Sequence, residues 1–391
     1  MTNAAVTWDS PGRFRARWII SRNADLLWLI GASLAGYLLF FLHAGLRLDM
    51  ITVWFVWVTL FDVPHFFGTY SRTYLDRMEW QRRKRLLVFS FAWFLVGPAA
   101  VGASGLLFRA GVASYQTPLI VLAVMVGAWA VFHVVRQHFG IMRLYERKNQ
   151  DLHPTDQKID WWLIHLGLFA PFMAFVVIHP EVRALLGRPR EIVPLGVALI
   201  ALSVALTVVV IAVFVARQVS LARSGAPLNV PKLLFLAGVV PFYILICYSP
   251  ATRSVPLLGF VAFVTIAHDI QYQAIVWFHH RNRYHTPGVD PRPYGLAPIV
   301  SRNLATYLAC GLGISVVWML FSCSLEITPG CAPIIRTSQW KLFGEITSRE
   351  LLASAIVGLQ LNHYFLDQFI WRPSTDQVLA RDLNLSPQEA A

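Results

Sequence analysis

The chain has 391 residues, of which 56% are hydrophobic and only 14% charged. Soluble domains carry about 25% charged residues, so the composition excludes an ordinary soluble fold and points to lipid as the solvent. The net charge of +12 is read as loop charge facing anionic lipid, not as affinity for nucleic acid.

Residues 1–25 are basic and aromatic, with Arg13, Arg15, Arg17 and Arg22 ahead of the first apolar run. That run exceeds a signal-peptide core and no small-residue cleavage site follows it, which reads as a retained span. A span needs about 20 largely apolar residues. Ten candidates lie near 26–46, 51–70, 86–108, 117–138, 161–179, 192–216, 233–249, 255–280, 303–325 and 351–370. The expected fold is all-α: a polytopic bundle of about ten transmembrane helices. It forms one domain over 26–371, between a cytoplasmic segment 1–25 and a short, polar, loosely ordered cytoplasmic tail 372–391. Pro231 and Pro241 are expected to break or bend helices in 192–249.

With both termini cytoplasmic, Lys and Arg divide 23 inside to 9 outside, with Arg136 within the fourth span. This bias sets the orientation and suggests a bacterial inner membrane. Cys247 and Cys310 fall within spans and are read as packing residues. Cys323 and Cys331 flank an outer loop, where a disulfide and two free thiols are equally compatible with the spacing.

Ionisable groups inside spans are costly and each needs an explanation. Asp62 and His65 lie late in the second run; His133, Arg136 and His138 lie late in the fourth. His268, Asp269, His279 and His280 belong to the eighth, and His363 and Asp367 to the end of the tenth. All four runs pass from outside to inside, so their late groups share one depth toward the cytoplasmic leaflet. His268 lies about 16 Å along the helix axis from His279, which makes His279 or His280 the expected partner of the other helices. Asp62 and His65 are i,i+3, and His363 and Asp367 are i,i+4, so each pair shares a helix face. Pro64 stands between the first two. His133 and His138 are i,i+5 and face one cavity only if it is wide or the helix carries a π-bulge.

Imidazole and carboxylate together suit iron, one ion or two, with zinc or copper as alternatives. No thiolate shares the layer, which argues against structural zinc and iron–sulfur clusters. The expected ligands are His65, His133, His138, His268, His279, His280, His363 and Asp367. His268 is equally compatible with a buried hydrogen-bond role. Asp62, Asp269 and Asp367 are ligands or orienters of ligands, and Gln137, Tyr272 and Asn362 are hydrogen-bond donors to bound dioxygen. His165 is balanced between ligand and packing residue. His285 reads as a loop residue and Arg136 as a side chain reaching the interface.

HVVRQH, 133–138, resembles the first histidine box of the membrane-bound fatty-acid desaturases and hydroxylases. The pair His279–His280 and the single His363 of NHYFLD resemble the later boxes. Phe278, Ile275 and Val276 stand where a full second box carries other residues, and ten spans exceed that family's four to six. Single histidines scattered over many spans are also similar to the bacterial integral-membrane carotene-cleaving dioxygenases. The resemblance implies a non-haem iron oxygenase, hydroxylase or desaturase. Its substrate would be lipidic, its site at the cytoplasmic side, and its electron donor a separate protein. Two rivals remain open: a metal-ion or proton-coupled transporter, and a zinc-dependent or metal-free lipid-modifying hydrolase or transferase.

Overall fold

The computed structural model describes residues 13–185, 192–326, 340–343 and 346–385. Ten long helices dominate these residues. They are α1 (Arg22–Ala44), α2 (Met50–Arg72), α3 (Lys84–Arg109), α4 (Thr117–Lys148) and α5 (Pro154–Ile178). They continue with α6 (Ile192–Arg223), α7 (Val230–Tyr248), α8 (Leu257–Tyr284), α9 (Leu304–Ser324) and α10 (Ser348–Ile370). Eight of them, all but α8 and α10, are long and apolar enough to cross a membrane. The two that fall short carry Asp269, His279, His280, His363 and Asp367. Cys331 lies outside the described residues, and the question of its pairing with it.

The chain forms two compact units. The first comprises the residues up to Arg47, Val134–His268 and those from Leu385; the second comprises Leu48–His133 and Asp269–Asn384. Helices α4 and α8 each give one half to each unit.

In the first unit α5 packs against α6 and α7, and α7 against α1. Asp25 is buried and accepts hydrogen bonds from the backbone N–H of Ile19, Ile20 and Ser21 at 2.7, 2.9 and 3.3 Å. The entering strand Phe14–Arg15 pairs in parallel with Leu228–Asn229. Lys232 is buried with its ammonium 2.6 Å from both Asp151 and Asp160, the pairing a buried cation requires. Neither proline breaks α7. Pro231 occupies the first turn, where a missing N–H costs nothing, and Asn229 caps the helix through Lys232 N–H at 3.3 Å. The helix runs on through Pro241 to Tyr248.

In the second unit α9 and α10 pack against α2, and α10 also against α3. The α3–α10 contact is backbone-close. A Cβ on Gly97 would stand 2.0 Å from the Ser354 carbonyl oxygen, and one on Gly358 2.4 Å from Phe94 Cα. Small residues permit such approach between membrane helices. Helix α10 begins in a capping box, with Thr347 N–H on Glu350 Oε2 at 2.7 Å and Glu350 N–H on Thr347 Oγ1 at 3.3 Å. Pro64 distorts α2 in a defined way. The helix widens to a π-turn over Val58–Asp62 and resumes α geometry at Val63, which relieves the clash a proline ring makes with the preceding turn.

The polar tail is not loose over its described part. Asp376 caps a short helix, Gln377–Asp382. Its carboxylate binds Arg82 at 2.9 and 2.6 Å and Arg83 at 2.6 Å. At the far end of the helix Asp382 receives Arg283 at 2.9 Å. Ion pairs order it together with the buried side chains of Leu379, Ala380 and Leu383, an apolar stretch too short to show in hydropathy.

Candidate metal centre

The second unit brings together six of the expected residues from four helices. Helix α2 supplies Asp62 and His65, α4 His133, α8 Asp269, and α10 His363 and Asp367; the first five are buried and the Asp367 side chain is 6% exposed. Two donor groups result, Asp62–His65–Asp269 and His133–His363–Asp367, each with ligand atoms within 4.8 Å of one another. The groups adjoin: His65 Nε2 lies 3.0 Å from His363 Nε2. Two imidazoles side by side on one metal, with bonds of about 2.1 Å, place their nitrogens about 3.0–3.4 Å apart. Such donor groups could hold a metal ion.

The helical spacings act as expected within each pair. His65 Nδ1 is 3.7 Å from Asp62 Oδ1, and His363 Nδ1 is 3.8 Å from Asp367 Oδ2. The cross-helix contacts are new information. His65 Nδ1 is 3.2 Å from Asp269 Oδ1, and Trp57 Nε1–H donates to Asp269 Oδ2 at 2.9 Å. His133 Nε2 is 3.9 Å from Asp367 Oδ2, and its ring centroid is 4.8 Å from that of His363.

A hydroxyl network orients the second group. Thr69 Oγ1 and Tyr272 OH both donate to Asp367 Oδ1 at 2.9 Å, and the two hydroxyl oxygens are 2.5 Å apart. With its hydrogen on Asp367, Thr69 Oγ1 accepts from His363 Nδ1 at 2.7 Å. Trp371 Nε1–H donates to the Tyr272 oxygen at 3.3 Å. This arrangement puts the His363 proton on Nδ1 and turns the Nε2 lone pair toward His65. Gly68 makes room for Tyr272: a Cβ there would meet the ring at 2.8 Å. Thr69 and Trp57 were missed in the sequence, although Thr69 stands four residues after His65 and so on the same face.

Charge makes the arrangement informative. Two ionised carboxylates less than 5 Å apart repel by about 3–4 kcal/mol at an effective permittivity of about 20, and Asp62 and Asp269 come within 4.8 Å. His65 meets these carboxylates with one nitrogen and the His363 lone pair with the other. A neutral ring carries one hydrogen and satisfies only one side. A metal ion resolves both sides, and so does one further proton, carried by His65 or by one of the two carboxylates that face its Nδ1.

Within the second unit His279, His280 and Asn362 stand apart from the two donor groups. His279 and His280 follow Asp269 along α8 by about 15 Å of helix rise. His279 Nε2 is 3.6 Å from Asp382 Oδ2. Asn362 donates to Ser90 O and Oγ at 3.1 and 3.0 Å and to Tyr74 OH at 3.1 Å, bracing α10 rather than meeting the donor groups. His138, Gln137 and His268 belong to the first unit. There His138 Nδ1 bonds the Val134 carbonyl at 2.8 Å and its ring lies against Phe235 and Tyr243, while Gln137 donates to the His268 carbonyl at 2.8 Å. Helix α4 is regular between His133 and His138 and has no π-bulge. His165 Nδ1 bonds the Trp161 carbonyl at 2.8 Å.

No protein-family model, curated protein or solved structure matches this chain.

Proposed function

We propose that the protein is an integral-membrane oxidoreductase whose buried His/Asp centre holds non-haem iron, one ion or two. Dioxygen would serve to hydroxylate or desaturate a lipidic substrate near the cytoplasmic leaflet. The observation that carries the reading is the junction of two donor groups at His65 and His363, 3.0 Å apart between Nε2 atoms. Imidazole with carboxylate, and no thiolate in either group, is the donor chemistry of non-haem iron. Lodging it among helices apolar enough to cross a membrane favours a substrate that enters from the bilayer.

Hydroxylation balances as R–H + O₂ + 2e⁻ + 2H⁺ → R–OH + H₂O, and desaturation as R–CH₂–CH₂–R′ + O₂ + 2e⁻ + 2H⁺ → R–CH=CH–R′ + 2H₂O. A separate electron-donor protein supplies the electrons. Iron would supply the dioxygen chemistry, held by His65, His133, His363, Asp367, Asp62 and Asp269. The chain's own residues do the rest. Thr69 and Tyr272 fix the Asp367 carboxylate and the His363 tautomer, Trp57 fixes Asp269, and the surrounding helices exclude water.

The test is metal analysis of purified protein with electron paramagnetic resonance and Mössbauer spectroscopy. Tightly bound iron near one or two equivalents, lost in His363→Ala and in His133→Ala, is expected. Stoichiometric zinc would replace the reading with a hydrolase or transferase. Weakly held metal with uptake in vesicles would replace it with a transporter. Absence of any metal would overturn the reading and leave a proton shared among His65, Asp62 and Asp269 to hold the cluster together.

A further inference from the structure

About two turns beyond Tyr272, α8 delivers His279 and His280 to a second buried polar cluster, different in sign from the first. Arg72, the last residue of α2, is 1% exposed. Its guanidinium lies 3.8 Å over the Trp371 ring, and Nη2 donates to the Ile370 carbonyl at 2.6 Å. Its Nε and Nη1 have no hydrogen-bond partner among the described residues.

The nearby carboxylates are already engaged. Asp76 takes Arg283 and the Tyr284 hydroxyl at 2.8 Å each. Glu79 takes Arg82 and Arg83, Asp376 takes the same two arginines, and Asp382 takes Arg283 and Arg381 and lies 3.6 Å from His279 Nε2, which leaves His279 Nδ1 as that ring's open nitrogen. Arg72 has no ion pair among the described residues.

The two histidines complete the cluster. His280 is fully buried, and neither of its ring nitrogens is partnered among the described residues; the same holds for His279 Nδ1. The His279 ring centroid is 6.0 Å from that of Trp371, the ring on which Arg72 lies, and 5.7 Å from that of His280. Arg72 and Arg283 act electrostatically on both imidazoles. A metal cation beside two guanidiniums would be repelled. An anion would be held by the charge of Arg72 and by imidazole N–H donors, the pairing guanidinium is shaped for.

We propose that Arg72, His279 and His280 form an oxyanion-binding site that takes the carboxylate or phosphate group of the substrate. Trp371 links it to the metal centre, since its indole lies under Arg72 and its N–H bonds Tyr272. The assignment of the anion to a substrate rests on the oxidoreductase reading; the existence of the site does not.

Binding is measured on the full-length protein in uncharged detergent, before and after metal removal by chelation, using tryptophan fluorescence and calorimetry. The probes are oleate, lysophosphatidate, oleyl alcohol and inorganic phosphate. Oleate or lysophosphatidate binding at least tenfold tighter than oleyl alcohol is expected, on the metal-depleted protein as well. Arg72→Gln and His280→Gln should each weaken it at least tenfold. Inorganic phosphate binding as tightly as the amphiphiles supports the site with a soluble anion as its source; amphiphile binding without it assigns a lipid headgroup. Equal affinity for oleyl alcohol and oleate overturns the proposal, as does wild-type affinity in a folded His280→Gln protein. If Arg72→Gln does not fold, His279→Gln and His280→Gln carry the decision. Because the readout needs no metal, its failure and failure of the iron reading are separate results.

Discussion

Thr69 holds more of the donor cluster together than its residue type suggests. Its single hydroxyl touches Tyr272, His363 and Asp367 at 2.5, 2.7 and 2.9 Å. Thr69→Val keeps the shape and deletes the oxygen, leaving His363 Nδ1–H without this acceptor. Loss of such an orienting partner typically lowers metal affinity 10–100-fold, and a buried group left unsatisfied costs about 1–3 kcal/mol. Metal titration should show that fall in Thr69→Val, and near-wild-type affinity in Thr69→Ser, which restores the hydroxyl. Metal affinity unchanged in Thr69→Val would remove Thr69 from the centre's supporting shell. His65 and His363 could be singled out from sequence as ionisable groups in apolar runs. Thr69 could not, because a threonine inside a membrane helix is unremarkable until its neighbours are known.

At the scale of elements, the approach of α3 to α10 fixes where His363 and Asp367 stand. That approach depends on Gly97 and Gly358, where no Cβ fits. Gly97→Ala should lower thermal stability in detergent by about 1–3 kcal/mol, the usual cost of overpacking. Gly127→Ala is the control, since nothing lies within 4 Å of a Cβ there. It shares the helix-propensity gain of up to about 1 kcal/mol, so the difference between the variants isolates the clash. The long helices themselves were legible: each expected run corresponds to one of them, with ends displaced by up to about ten residues, the most at the C-terminus of α4. Helices α8 and α10 were legible as helices, yet their polar residues keep them below the hydropathy of a span. Their crossing of the membrane remains part of the functional proposal.

For the molecule as a whole, the described tail is clamped by charge. Burial alone would raise the Asp376 carboxyl. Hydrogen bonds from Arg82 and from the Leu379 N–H, with the charges of Arg82 and Arg83, outweigh it and hold the group well below the usual carboxylate range. A carboxyl depressed in the folded state contributes stability that is present above its unfolded value, about 3.9, and is lost as pH falls below it. Proteolysis of the tail by an acid-tolerant protease should therefore accelerate below about pH 4. Asp376→Asn should expose the tail to proteolysis at neutral pH, where the wild-type tail resists. Equal protection in the variant would show that Asp382 with Arg283 suffices.

The sequence by itself determined that this chain is helical, where most of its long helices run, and which ionisable groups pair along one helix. Those properties follow from local periodicity and apolar run length, as with Asp62–His65 and His363–Asp367. Only the tertiary structure decided which histidines meet. It set His65 against His363 from helices far apart in the chain, turned Asn362 to Ser90, and kept His279 and His280 outside both donor groups, with His279 beside Asp382. The rotation and depth of each helix are set by side chains distant in sequence, and no spacing within one helix encodes its partner.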